Sequence, residues 1–320
     1  MKKLISILFL IIFVFTCNAQ AFWIWSPRTG KWTNPKSAPK ENPKEELNFG
    51  LDLMKSKNYE KAINAFRTLI RYFPKAFEAA EAQFYIGKCY EALLKDFEAY
   101  KAYQLVLDKY PFNKRSEEIL QIQYDIAERF ISGVNKTKVL GMTFQLEDPA
   151  IEILQKIIEN APYSKLAPKA QYRLGVYLKA KSQFYEARAE LEKVIEKYPD
   201  SEWAEPARFQ LAETVASISP KPSYDQNLTQ EAREKFEEFA KTHPEATLSQ
   251  AANIQVEALK NKEAESNFII AKFYEKQNNF ASAKIYYQYI LDNFPESSFA
   301  PQAVAQLKVV EEKEKKVKKK

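Results

Sequence analysis

A spacing of twelve residues between small side chains constrains what this chain can fold into more than any other feature. Gly175 lies twelve residues before Ala187, and Ala187 lies twelve before Pro199. This predicts two amphipathic helices that break near residues 181–183, the second ended by the proline. Gly or Ala is needed at the helix crossing, because larger side chains would push the axes beyond the usual ~8–10 Å. Apolar side chains recur between these positions at helical spacing, at Leu174, Leu178, Leu191 and Val194.

The same spacing recurs along the chain, which indicates one repeated structural unit. Two copies retain only the second half, from Ala150 to Pro162 and from Ala232 to Pro244. This pattern resembles the tetratricopeptide repeat, a helix–turn–helix unit of ~34 residues. The resemblance implies an all-α fold, a right-handed superhelical α-solenoid of about six helix pairs, preceded by an extended N-terminal arm. The further complete copies have their small residues and proline at Gly50, Ala62 and Pro74, at Gly87, Ala99 and Pro111, and at Ala271, Ala283 and Pro295.

We expect four segments along the chain. They are a signal peptide at residues 1–21, a Trp- and Pro-rich arm at 22–44, the repeats at 45–310 and a charged tail at 311–320. Residues 301–310 are expected to form a terminal capping helix, followed by a solvated tail. The net charge of +6 lies largely at the chain ends. The repeats therefore offer no basic face of the kind that binds nucleic acid.

The first 21 residues have the composition of an export signal. Lys2 and Lys3 precede an apolar stretch, and the stretch leads to a small-residue cleavage site at Ala21. The apolar stretch has twelve residues, fewer than the ~20 that a transmembrane helix needs. Cleavage after Ala21 would leave a soluble exported protein in the periplasm. The alternative is a lipoprotein acylated on Cys17, although Thr16 is a poor residue directly before a lipidation cysteine.

The arm at residues 22–44 carries three of the chain's 4 tryptophans, Trp23, Trp25 and Trp32. Prolines prevent a helix here, and a short hairpin with a turn at residues 27–30 is expected. Two interpretations remain open. The arm either caps the exposed apolar face of the first repeat, or it docks on a membrane or partner, where tryptophan is favoured at the boundary between water and apolar surroundings.

Two insertions interrupt the repeats, at residues 132–148 and 219–229. Because loops on a regular scaffold often carry function, we expect at least one of them to contact a partner. Tyr224 and Asp225, in the second insertion, are candidate docking residues together with the arm tryptophans.

No catalytic or metal-binding constellation is visible in the sequence. His243 is the only histidine, and its position predicts a ring packed at a helix end. Cys89 is expected to be a small core residue. Acidic neighbours such as Glu45 and Glu46 would point about 100° apart on a helix, and we expect them in solvent. We therefore expect a protein that is not an enzyme and has no cofactor, metal or small-molecule substrate.

Candidate binding residues lie on the first helix of each pair, which would line the concave side of the solenoid. An apolar residue followed by charged ones suits an extended peptide held by aromatic contact and salt bridges. The alternative is that Phe84, Tyr172 and Phe268 belong to the core between repeats. The candidates are Leu47, Leu51 and Met54, then Phe84, Lys88 and Glu91, then Tyr172, Val176 and Lys179, and finally Phe268, Lys272 and Glu275.

Three stretches resemble the BamD family of outer-membrane β-barrel assembly factors. They are AIEILQKIIENAPYSKLAPKAQYRLG from Ala150, YPDSEWAEPARFQLAE from Tyr198 and YDQNLTQEAREKFEEFAKTHPEA from Tyr224. The resemblance implies a periplasmic scaffold, peripheral to the outer membrane, that binds the barrel insertase and unfolded barrel precursors. One alternative is another periplasmic tetratricopeptide adaptor, for cell division, the Tol system or polysaccharide export. The other is an accessory protein of an enzyme or an unrecognised enzyme.

Overall fold

The computed structural model describes residues 24–26, 30–33, 40–111, 113–133, 148–219, 221–222, 225–245 and 247–318. These residues form one short hairpin and thirteen helices. The chain divides at Pro149 into two compact units. The elements are β1 (Ile24–Ser26), β2 (Lys31–Thr33), α1 (Pro43–Lys55), α2 (Tyr59–Tyr72), α3 (Phe77–Ala92), α4 (Asp96–Lys109), α5 (Ser116–Ser132), α6 (Pro149–Asn160), α7 (Leu166–Ala180), α8 (Phe184–Lys197), α9 (Ala204–Ile218), α10 (Gln226–Thr242), α11 (Thr247–Lys276), α12 (Phe280–Asn293) and α13 (Ala300–Lys318).

Each complete helix pair turns through one residue in the left-handed conformation. That residue lies seven positions after the small residue at the helix crossing. Its amide donates to a carbonyl three residues earlier, as from Ser182 to Lys179 at 2.9 Å. The left-handed residue reverses the chain within a few residues, and the predicted break near 181–183 is confirmed. The four turn residues are Lys57 (φ 59°), Leu94 (57°), Ser182 (61°) and Asn278 (55°).

The first unit contains the hairpin and helices α1–α5. Buried side chains from α2–α4 form one core cluster, which includes Phe66, and partly buried side chains of α1 pack against it. A Cβ atom built on Gly87 would lie 2.5 Å from the Tyr103 ring, and one built on Gly50 would overlap the Phe66 ring. No side chain can occupy these two positions without moving a buried ring. The predicted role of the small residues at the helix crossings is confirmed.

The second unit contains helices α6–α13. A Cβ atom on Gly175 would lie 2.7 Å from Cγ of Leu191, so the same crossing geometry recurs between α7 and α8. One core cluster joins α8–α11 and another joins α11–α13. Helix α11 contributes to both clusters because it runs unbroken for 30 residues. The helix that begins at Thr247 therefore continues into the last repeat.

The N-terminal hairpin predicted from the sequence is present. Strands β1 and β2 pair antiparallel, with Trp25 opposite Trp32. Gly30 has a φ of +61° just before β2, a conformation that glycine adopts without steric cost.

The expected end of the helical region at Val310 is wrong. Helix α13 continues to Lys318, through most of the segment expected to be a solvated tail. Two side chains of that segment hold it against the preceding helices. Lys313 pairs with Glu275 of α11 at 2.9 Å, and Glu314 pairs with Lys284 of α12 at 2.5 Å. The segment is therefore helical, although most of its described side chains remain exposed to solvent.

Candidate partner-binding surfaces

Glu91, one of the predicted binding residues, is the centre of a polar network in the first unit. The Tyr103 hydroxyl donates to it at 2.6 Å, and Lys88 pairs with it at 3.3 Å. Arg129 of α5 also reaches Glu91, at 3.4 Å, and forms a closer pair with the buried Asp96 at 2.7 Å. Burial alone would lower the pKa of Arg129, but the hydrogen bonds and charge of Asp96 raise it above its usual value. The network joins α3, α4 and α5.

Glu275 forms the same network in the second unit. Tyr287 donates to it at 3.1 Å, and Lys272 pairs with it at 3.2 Å. Lys313 takes the place that Arg129 has in the first unit, and both basic residues come 38 positions after their glutamate. Burial would raise the pKa of Glu275, but the hydrogen bonds from Lys313 and Lys272 outweigh it and lower the pKa below its usual value.

Lys179 occupies the equivalent position in the α7–α8 pair, with the charges reversed. It pairs with Glu213 of α9 at 2.6 Å and donates to Gln210 at 3.0 Å. The charged residues predicted to orient a peptide are therefore already engaged with a neighbouring helix. Any partner that uses them has to compete with these contacts.

The apolar candidate residues are mostly part of the core. Of the two alternatives for Phe84, the core one is correct: the residue is 2% exposed and packs against the Tyr103 ring, with 5.6 Å between the ring centroids. Tyr172 is half-buried, with its ring 5.1 Å from that of Trp203. Phe268 packs similarly on Tyr287. A large ring at this position fills the space beside the helix crossing, which is why the core alternative holds. Four other candidates are half-buried: Leu47, Leu51 and Met54, which contact the first core cluster, and Val176.

The second unit also has an apolar groove that the sequence did not indicate. It has a volume of about 420 Å³ and lies between the start of α10 and helices α11 and α12. Ile285 and Tyr289 of α12 form its apolar side and are 67% and 46% exposed. Amide side chains and one acid form the other side. The lining residues are Gln226, Asn227, Gln230, Glu263, Ser266, Asn267, Ile270, Ile285, Tyr286 and Tyr289.

A second groove continues from the same two side chains toward α13. Its volume is about 460 Å³, and Lys284, Asp292 and Leu307 contribute to its lining along with Ile285 and Tyr289. One signal in the sequence could have revealed both grooves. Helix α12 carries apolar residues outside its core positions, and Ile285 and Tyr289 follow each other at an interval of four residues.

The insertion before α10 is held at its base by buried polar contacts. The hydroxyls of Ser219 and Thr229, both fully buried, lie 3.3 Å apart. Lys262 of α11 donates to the Ser219 carbonyl, and burial lowers the pKa of this lysine. Asp225, a predicted docking residue, is exposed and caps α10 by accepting from the Asn227 amide at 2.9 Å. The described part of this insertion therefore has a fixed geometry.

The residues considered for chemistry are structural. His243 stacks on Phe239 at the end of α10, with ring centroids 5.1 Å apart. Cys89 is fully buried, and burial raises the pKa of its thiol to about 11. Glu46 was expected in solvent, but it is 3% exposed and accepts a 2.6 Å hydrogen bond from the Lys40 amide. Within the described ranges no group of three or more potential ligands could hold a metal ion.

The remaining candidates belong to the N-terminal region and the second insertion. Cys17, Trp23 and Tyr224 lie outside the described residues. Trp25 and Trp32 are 47% and 62% exposed. Among the helices that the structure describes, none combines the length and apolar content needed to cross a bilayer.

Two family models match this chain. The model described as YfiO, outer membrane lipoprotein, matches residues 145–319, more than half of the 320 residues. A tetratricopeptide repeat model matches residues 47–114, which contain the pairs α1–α2 and α3–α4. No curated protein sequence matches the chain. The helix pairs and the repeat model together establish an all-α tetratricopeptide fold.

Solved structures of tetratricopeptide proteins align with most of the chain. The C-terminal part of a repeat protein from Cytophaga hutchinsonii is 20% identical, with 82% of this chain and 88% of that one covered and a TM-score of 0.36. YrrB, a TPR protein with an unusual peptide-binding site, is 18% identical, with 67% and 93% covered and a TM-score of 0.35. PilW, a type IV pilus biogenesis factor, is 15% identical, with 83% and 99% covered and a TM-score of 0.30.

Proposed function

We propose that this chain, which belongs to the YfiO family of outer membrane lipoproteins, is a non-enzymatic scaffold on the periplasmic face of the outer membrane. Its partners in this proposal are the β-barrel insertase and unfolded barrel precursors. The observation that carries the proposal is the family match over residues 145–319, which contain all of α6–α13. The resemblance of three stretches in that region to the BamD family supports the more specific role.

The surface of the second unit is suited to binding a protein. The two grooves beside Ile285 and Tyr289 combine exposed apolar side chains with amides and charges, as the centre and rim of an interface do. We propose that the insertase occupies these grooves and contacts the adjoining insertion at Asp225.

The first-helix residues remain part of the proposal as a second contact surface. A precursor peptide that binds there would exchange its own charges with the ion pairs of Glu91 and Lys179. The side chains of these pairs are 22–33% exposed, so a peptide can reach them, and its own charges would replace the partners that it displaces.

Crosslinking in intact cells tests the proposed insertase contact. A photo-crosslinking amino acid replaces Tyr289, in the grooves, and in a separate control replaces Tyr185, which is 68% exposed on α8 and lines neither groove. We expect the barrel insertase among the proteins crosslinked at position 289 and not at 185. Absence of the insertase at 289, together with its absence from a pull-down of the whole protein, would contradict the proposal.

A second candidate function is that of a tetratricopeptide adaptor for another envelope system. The observation that favours it is the repeat match over residues 47–114, which lies outside the family match. These helix pairs offer binding surface that the family region does not account for. The same pull-down separates the two functions: proteins of cell division, the Tol system or polysaccharide export would appear in place of the insertase.

The family description also favours acylation of Cys17 over cleavage after Ala21. We therefore include a lipid anchor at Cys17 in the proposed function. Cys17→Ala should lower the share of the protein that stays in the membrane fraction after a high-salt wash, and the mass of the native N-terminus should report the acylated cysteine. A native chain that begins at Phe22 would show that the anchor is absent.

A further inference from the structure

The hairpin displays its two tryptophans instead of burying them. Trp25 and Trp32 lie opposite each other on β1 and β2, with their ring centroids 5.8 Å apart and an angle of 64° between the ring planes. Each indole supports the other edge-to-face, as aromatic pairs prefer. Even so, 47% of Trp25 and 62% of Trp32 remain exposed, and Ile24 beside them is 47% exposed.

These exposures favour the docking interpretation of the arm over the cap. A hairpin that capped the first helix pair would bury its large rings against the apolar residues of α1 and α2, because that burial would be its contribution to stability. The rings instead form a small exposed apolar patch. A patch of this kind on a folded protein commonly marks an interaction site.

The charge of the arm indicates which surface the patch contacts. Residues 22–44 contain five basic residues and a single acidic one. The helical region at residues 45–310 carries a small net negative charge, so the arm is distinctly more basic than the helices that follow it. Basic residues near a bilayer each contribute ~1 kcal/mol of attraction to anionic headgroups. Tryptophan is the side chain enriched at the level of those headgroups.

We propose that strands β1 and β2 bind the surface of an anionic phospholipid bilayer, with Trp25 and Trp32 inserted among the headgroups. The excess of basic residues in the arm sequence supplies the attraction to lipid phosphates. This contact goes beyond the scaffold function and does not depend on it, since it requires no protein partner and no acyl chain. It would hold the N-terminal end of the helical region close to the membrane.

Vesicle binding by the chain of residues 22–320 tests the proposal without the apolar export signal and without Cys17. Trp203→Phe removes the only tryptophan outside the arm, so the emission reports the arm alone. With vesicles of phosphatidylethanolamine and phosphatidylglycerol we expect a blue shift and quenching by brominated lipid. With phosphatidylcholine, or at high salt, both effects should be much weaker.

The double variant Trp25→Ala/Trp32→Ala should have a partition coefficient into the anionic vesicles that is lower than the parent's by about tenfold or more. The matched control is Phe77→Ala/Leu94→Ala, which removes two side chains that are 74% and 76% exposed elsewhere in the first unit. The control should bind as the parent does. Unshifted emission of the parent with anionic vesicles would overturn the proposal and leave a protein as the partner of the arm. A lower melting temperature of the tryptophan double variant without vesicles would also overturn it, because it would reveal a cap.

Discussion

The hydroxyl of Tyr103 donates a 2.6 Å hydrogen bond to the carboxylate of Glu91, which lies twelve residues earlier on the other helix of the pair. Burial, and then the hydrogen bond to Glu91, raise the pKa of Tyr103 above its usual value, so the phenol remains the donor. The ring of the same tyrosine fills the space beside Gly87. One side chain thus sets the distance between α3 and α4 and also holds the carboxylate that pairs with α5.

Tyr103→Phe tests the energetic importance of this hydrogen bond. The ring and its packing are retained, and Glu91 loses one of its donors. A hydrogen bond to a charged group contributes about 1.5–3 kcal/mol, and we expect a loss of unfolding free energy toward the lower end because Lys88 and Arg129 still contact Glu91. Chemical denaturation measures the loss. Tyr287→Phe should show a similar loss in the second unit, and an unchanged midpoint in both variants would contradict the assignment.

Gly87→Ala tests the steric rule behind the twelve-residue spacing. The added Cβ would lie 2.5 Å from the Tyr103 ring, which is fully buried and held by Glu91. Alanine gains about 1 kcal/mol of helix propensity, whereas overpacking costs about 1–3 kcal/mol. We expect net destabilisation, seen as a lower melting temperature. Ala271 occupies the equivalent position opposite Tyr287, so Ala271→Gly is the converse control and should gain nothing. A more stable Gly87→Ala variant would contradict the steric argument.

The helix pairs could be predicted from the sequence because each crossing depends on a single small residue and the side chain that it meets on the partner helix. Gly50, Gly87 and Gly175 each meet a bulky side chain sixteen positions later, and the spacing records that contact directly. The left-handed turns follow from the same spacing. These local rules do not depend on how one helix pair stacks on the next.

The contacts between helix pairs could not be predicted in the same way. Glu91 contacts Arg129, which lies 38 residues later on α5. Whether Glu91 makes this contact or faces solvent depends on how α5 stacks on the preceding helix pair, and no local sequence pattern encodes that stacking. The extension of α13 depends likewise on contacts made by Lys313 and Glu314, since its charged sequence has no apolar period. Glu46 is buried because the preceding chain folds back and donates the Lys40 amide. Some residues predicted to bind a partner, such as Glu91, therefore contact neighbouring helices instead. The groove at Tyr289 was also not predicted from the sequence.

Glu46 gives a prediction of pH dependence. Burial is the main cause that raises its pKa, against the lowering effect of the Lys40 amide and charge. A carboxyl whose pKa is higher in the folded state binds its proton more tightly there, so it favours folding at low pH and opposes it as the pH rises. Glu46→Gln should therefore be more stable than the parent at neutral pH, and the difference should shrink as the pH falls through the acidic range. Urea denaturation across pH measures this difference.

The control for this prediction is Glu45→Gln, which removes the same charge from an exposed position in the same helical turn. It separates the effect of burial from that of the net charge. A Glu46→Gln variant that is no more stable than the parent at any pH would show that the carboxylate is better solvated than its burial implies.

Lys262 provides the test of whether the fixed geometry of the second insertion matters for binding. Its ammonium group donates a hydrogen bond to the carbonyl of Ser219. The hydroxyl of Ser219 is in turn hydrogen-bonded to that of the fully buried Thr229. Lys262→Met keeps roughly the length of the side chain but removes this donor. The Ser219 carbonyl then loses its hydrogen bond to the lysine, which lowers the unfolding free energy by about 1–3 kcal/mol. We expect faster amide hydrogen exchange at residues 225–229 and weaker capture of the insertase, because Asp225 would lose its fixed position. Lys260→Met is the matched control, since Lys260 is an exposed neighbour that pairs with Glu257 at 3.0 Å. If exchange accelerates in Lys262→Met while capture of the insertase is unchanged, the insertion is a structural element of the second unit and the grooves beside Tyr289 bind without it.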